Sequence, residues 1–227
     1  MAELVVALDF PDAGSALALA RQLRGVAPWC KVGMELFCLA GPAVLEQLRE
    51  MGFHVFLDLK FYDIPNTVAQ AVRAAARSGA ELLTIHTQGG ERMCREAMSA
   101  AAACERPPLV FGVTVLTSFG PGQMPGITRT PADFAGELAG LADGWGLDGI
   151  VCSGQEAAAI KAAYPRLRCL CPGIPPASAP PRAQCRIMTP AAAVAAGADY
   201  LVVGRPIARA ADPLAAARAI LDEMHTC

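Results

Sequence analysis

The sequence predicts a (β/α)8 barrel, and three observations carry that prediction. Eight short runs rich in Val, Ile and Leu alternate with Ala-rich helical stretches along 227 residues, the order of elements in an eight-fold α/β barrel. The runs are apolar throughout rather than at every second residue, as strands are when a parallel sheet is covered on both faces. The first strand-to-helix turn, ALDFPDAG, lacks the G-x-G-x-x-G that opens many doubly wound open sheets. No low-complexity segment or linker divides the chain, so residues 1–227 are expected to form one barrel domain.

The strands are read at 4–9 (LVVALD), 30–34 (CKVGM), 54–60 (HVFLDLK), 82–87 (LLTIHT), 109–116 (LVFGVTVL), 148–153 (DGIVCS), 168–174 (RCLCPGI) and 200–205 (YLVVGR). Helical stretches lie between them, and DPLAAARAILDEM closes the chain. Gly25, Gly79, Gly146 and Gly197 stand where a residue ending a helix must turn left-handed. One connection is set apart. Residues 175–189, PPASAPPRAQCRIMT, are Pro-rich and longer than the usual strand-to-helix loop of about 2–6 residues, and are expected to form a lid at the functional end.

Composition bounds the function. Hydrophobic residues make up 54% and charged residues 18%, which excludes a disordered chain and fits a large core. The net charge is −2 without a basic run, so nucleic acid is not an expected partner. The nine cysteines are odd in number and contain no C-x-x-C. They are expected as buried thiols in a reducing, cytoplasmic setting. With only three histidines, a zinc site is not expected. The N-terminal MAELVVALDF turns polar by Asp9 and reads as a strand, not a signal peptide. No apolar run reaches the ~18 residues of a membrane span.

Polar residues gather at the strands' C-terminal ends, where barrels place their chemistry. They are Asp9, Lys31, Asp58, Lys60, His86, Thr114, Thr117, Ser153, Gly204 and Arg205. Asp58 and Lys60 are two apart on one strand and should share a face. Their local pairing alone does not account for Lys31 and Asp9 on neighbouring strands. Alternating Asp and Lys charges in a dry site would hold each other ionised and impose a fixed field on a ligand. Asp63, just before Pro65 and Thr67, can be read as a helix N-cap or as a site residue. Gly204 and Arg205 at a helix start, with Gly173 nearby, suit a phosphate group. His86 reads as a hydrogen-bonded supporting histidine, and Ser153, with no paired base, is not read as a nucleophile.

The stretch DLKFYDIPNT at 58–67 resembles the D-x-K-x-x-D-I-x-x-T signature of the orotidine 5′-monophosphate decarboxylase family, bacterial branch. VALD (6–9), CKVG (30–33), TIHTQGG (84–90), VTVLTS (113–118) and RIMTPAAAVAAGADYLVVGRPI (186–207) extend the similarity almost end to end. The resemblance implies a metal- and cofactor-free enzyme that converts orotidine 5′-monophosphate to UMP and CO2. It implies that Lys60 donates the proton to C6 and that Asp58 lies beside the departing carboxylate. Lys31 and Asp9 would contact the ribose. Asp63 and Thr67 would reach into the partner's site in a homodimer. Thr117 would lie against the pyrimidine, and Gln184, Gly204 and Arg205 would hold the phosphate. One departure stands out: Pro175 replaces the Arg of the bacterial Pro-Gly-Ile-Arg pattern, and Arg182 is the candidate substitute. Two alternatives remain. One is a Mg²⁺-dependent keto-sugar-phosphate decarboxylase or synthase of the same fold, disfavoured by Lys31 where a carboxylate ligand is needed. The other is a non-catalytic nucleotide-binding barrel.

Overall fold

Eight parallel strands close on one another in sequence order. They are β1 (Glu3–Ala7), β2 (Trp29–Gly33), β3 (His54–Phe61), β4 (Leu82–His86), β5 (Leu109–Val113), β6 (Gly149–Val151), β7 (Arg168–Pro172) and β8 (Tyr200–Val203). The computed structural model describes residues 2–175 and 188–226. The predicted lid at 175–189, with Arg182 and Gln184, therefore lies almost wholly outside the described residues.

The uniform apolarity of the strands has a direct cause. Successive side chains on a strand point to opposite sides, and here both sides are dry. Val5, Ala7, Trp29, Phe56, Leu82, Phe111, Leu170, Tyr200 and Val202 pack together as the plug of the barrel interior. Their strand neighbours, among them Leu4, Val6, Cys30, Val55, Leu83 and Val110, pack outward against the helices. Inside the plug, Tyr200 meets Trp29 and Phe111 edge-on, with ring centroids 5.6 and 5.8 Å apart.

The helices are α1 (Ala13–Leu23), α2 (Met34–Ala40), α3 (Ala43–Glu50), α4 (Pro65–Arg77), α5 (Gly90–Ala102), α6 (Pro131–Gly144), α7 (Gly154–Ala163), α8 (Pro190–Ala195), α9 (Arg205–Ala208) and α10 (Pro213–His225). Sequence reasoning does not anticipate α2. The four glycines expected to end helices, Gly25, Gly79, Gly146 and Gly197, have φ of 77°, 93°, 86° and 91°, the left-handed region in which a Cβ is penalised. Side-chain caps at Asp12, Thr130, Ser153, Thr189 and Asp212 start α1, α6, α7, α8 and α10.

The structure corrects the expectation that only one connection is long. β5 ends at Val113, not at residue 116, and residues 114–130 run without helix or strand to α6. That segment has a small core of its own. Val115 and Met124 pack on Phe134, Ala135 and Leu138 of α6, with Phe119 and Ile127 alongside. No helix among the described residues is long and apolar enough to cross a membrane.

Candidate active site

Parallel registers bring the charged residues together at one end of the barrel. Ala7 stands opposite Lys31, and Gly33 stands opposite Asp58, so the C-terminal ends of β1, β2 and β3 lie side by side. Lys31 Nζ donates to Asp9 Oδ1 at 2.9 Å and lies 3.7 Å from Asp58 Oδ2. Lys60 Nζ donates to the same Asp58 oxygen at 2.8 Å. The result is an unbroken sequence of alternating charges, Asp9–Lys31–Asp58–Lys60. Burial is uneven along it: the Asp58 and Lys31 side chains are 12% and 10% exposed, whereas Asp9 is 61% exposed. The inner members are thus shielded from water, and the outer end is open to it.

The path by which Lys60 reaches Asp58 differs from simple strand alternation. The β3–β4 register shifts between Leu57 and Phe61, and Lys60 has φ 51°. A left-handed backbone costs a non-glycine residue roughly 1–2 kcal/mol. The fold offsets part of this through Thr84 of β4, which sequence reasoning overlooks. Thr84 Oγ1 accepts the Lys60 backbone N–H at 3.1 Å and donates to Asp58 Oδ1 at 3.0 Å. Thr84 is fully buried. In sequence it is indistinguishable from any β-branched strand residue.

His86, at the end of β4, departs from its expected role. Its Nδ1 is buried without a hydrogen-bond partner among the described residues, and its ring lies 5.4 Å from that of Tyr62. Burial pushes its pKa below the ordinary histidine value. The positive charge of Lys60 pushes it the same way, while Asp58 opposes. The imidazole is therefore held toward its neutral form. The sulfhydryls of Cys30 and Cys94 are pushed up to about 12 by burial, which makes them packing groups rather than nucleophiles.

Asp63 and Thr67 do not join the array of their own chain. Both are exposed. Asp63 is not a helix cap either: the residue before α4 is Ile64, without a side-chain cap, and among the described residues Asp63 Oδ1 accepts from the adjacent Ile64 N–H, at 2.6 Å. Thr117 sits half-buried in the turn after β5. Thr114 is occupied structurally, donating to Val151 O at 2.8 Å. Ser153 is the cap of α7, in a reciprocal pair with Glu156. Gly204 lies next to Ala7 and Asp9, and Arg205 opens α9 with its side chain exposed. Gly173 follows β7 with φ 75°, and Pro175 is half-buried. Among the described residues, no group of three or more His, Cys, Asp or Glu could hold a metal ion.

Comparison with known proteins points to one family. Residues 2–220 match the model of the "Orotidine 5'-phosphate decarboxylase / HUMPS family". An orotidine 5′-phosphate decarboxylase of Nitratidesulfovibrio vulgaris strain DP4 is 56% identical, the match covering 99% of this chain and 98% of that one. One of Maridesulfovibrio salexigens is 49% identical over the full length of both. The crystal structure of orotidine 5′-phosphate decarboxylase from Lactobacillus acidophilus superposes with a TM-score of 0.88 at 33% identity, covering all of both chains.

Proposed function

Because the chain belongs to the orotidine 5′-phosphate decarboxylase / HUMPS family, we propose that it decarboxylates orotidine 5′-monophosphate to UMP and CO2 in pyrimidine biosynthesis, without metal or organic cofactor. The observation that carries this reading is the continuous array Asp9–Lys31–Asp58–Lys60, with separations of 2.9, 3.7 and 2.8 Å.

The chemistry asks for such an array. Breaking the bond between C6 and the carboxylate releases CO2 and leaves an electron pair in the plane of the ring, where the π system cannot delocalise it. An ammonium placed at C6 stabilises that pair in a dry site far better than in water. In the proposal, Lys60 Nζ supplies this charge and then its proton to C6. The resulting neutral amine regains a proton from solvent. Asp58 holds Lys60 by one carboxylate oxygen and shares that oxygen with Lys31. Its own charge lies beside the departing carboxylate. Lys31 and Asp9 bind the ribose hydroxyls, Thr117 faces the pyrimidine, and Gly204, Arg205 and Gln184 take the phosphate. Binding energy from that distant phosphate orders the site for the reaction.

Asp63 and Thr67 are proposed to complete the site of a second subunit. Their exposure, and the exposed apolar side chains of Tyr62 and Ile64 on either side of Asp63, support this reading, as do exposed Met34 and Leu39 on α2. The keto-sugar-phosphate alternative needs a divalent cation on carboxylates. Lys31, 3.7 Å from Asp58, would set a positive charge beside that cation and repel it.

The test is loss of orotidylate absorbance with purified protein in the presence of chelator. Turnover is expected there, and none from Lys60→Ala, which should remain folded and still bind UMP. No turnover by the unaltered protein overturns the decarboxylase reading; turnover abolished by chelator favours the Mg²⁺ alternative.

A further inference from the structure

We infer that Thr84 is a positioning residue of the charge array: its hydroxyl holds Lys60 in its left-handed backbone conformation and fixes the rotation of Asp58, so that one carboxylate oxygen is left to the two lysines. The consequence for turnover rests on the decarboxylase reading; the consequence for backbone order does not.

A threonine hydroxyl has one proton to give and lone pairs to receive. An ionised carboxylate can only accept, and a backbone amide can only donate. Thr84 Oγ1 therefore donates to Asp58 Oδ1 at 3.0 Å and accepts from Lys60 N–H at 3.1 Å. The two bonds reach across 26 and 24 residues of sequence to the two members of the array that lie on β3, Asp58 and Lys60. The ladder register passes over Lys60, so the amide of this residue turns to a side chain of β4. With Oδ1 tied to Thr84, Oδ2 is the oxygen that meets Lys60 Nζ at 2.8 Å and Lys31 Nζ at 3.7 Å. One buried atom thus sets both the direction of the Lys60 side chain and the orientation of the carboxylate that holds it. Misplacement of a reacting group by about 1 Å can cost on the order of 100-fold in rate, so a residue that touches no substrate can still govern turnover.

The experiment compares Thr84→Val, which keeps the β-branched shape and removes the hydroxyl, with Thr84→Ser, which keeps the hydroxyl. Thr84→Val is expected to lower kcat at least about tenfold with KM changed by less than about threefold, and Thr84→Ser to retain kcat within about threefold. Exchange of the Lys60 amide proton, followed by NMR, is expected to speed up at least about tenfold in Thr84→Val and not in Thr84→Ser. Should Thr84→Val fail to fold, Thr84→Ala carries the same expectations. The inference is overturned if the hydroxyl-free variant keeps kcat within twofold of the unaltered protein, if the serine variant falls as far as the valine one, or if amide exchange is unchanged. Absence of orotidylate turnover by the unaltered protein, with the exchange result as expected, would instead overturn the function and leave the positioning role standing.

Discussion

Lys60 occupies a backbone conformation that its own Cβ disfavours. Such a cost persists where neighbouring groups over-determine the geometry, and it gathers at functional sites. Here the neighbours are Thr84 and Asp58. His86 stands close to the same charges and carries a consequence of its own. Its folded pKa lies below the ordinary value of 6.5, so between those two values the unfolded chain binds more protons than the folded one. Stability contributed by neutral His86 is present above about pH 6.5 and is lost as pH falls through the folded pKa. Denaturant unfolding from about pH 7.5 down to about pH 5 should show stability declining, and His86→Gln should decline less steeply. Equal slopes for the two proteins would exclude this role for His86.

At the scale of the element, β2 shows how a strand end is cut to fit charge. Lys31 and Gly33 lie two residues apart and therefore on the same side. A Cβ on Gly33 would stand 3.1 Å from Lys31 Nζ and 3.2 Å from Asp9 Oδ1, so the missing side chain is the room in which that ion pair sits. The φ of Gly33, −91°, suits any residue, and the glycine is needed for space alone. Gly33→Ala should shift the pair by a few tenths of an ångström and lower kcat/KM about three- to tenfold while leaving the melting temperature nearly unchanged; an unaltered kcat/KM would show that the pair tolerates the displacement. The strands were legible because apolar runs mark them, and the array because lysines and aspartates at strand ends are rare enough to notice. Thr84 and the left-handed Lys60 were not legible. Asp-Leu-Lys reads as ordinary alternation, and the register shift at Leu57/Phe61 arises between strands, where no single segment records it. The small core of residues 114–130 was likewise hidden, because its partner residues lie on α6.

At the scale of the whole molecule, the array and Asp63 belong to different halves of the proposed assembly. If each site draws Lys60 from one subunit and Asp63 from the other, Lys60→Ala and Asp63→Ala chains are each inactive alone. After subunit exchange, half of the dimers are hybrids, each with one intact site. Activity should then rise to about one quarter of the unaltered level. No rise, with exchange confirmed by mass spectrometry of the native dimers, would contradict a shared site.

The aromatic plug inside the barrel has a further consequence. Among the described residues, Trp29, Phe111, Tyr200 and their neighbours fill the axis, so the charged end of the barrel is the doorway of the proposed site. In the proposed reaction, CO2 departs past the bound nucleotide or after it, because the described interior on the other side is packed. The proton that recharges Lys60 must enter through the same doorway, on the side where Asp9 meets solvent. In the proposed reaction the departing gas and the returning acid equivalent therefore share one route, and traffic in either direction is limited at the same mouth.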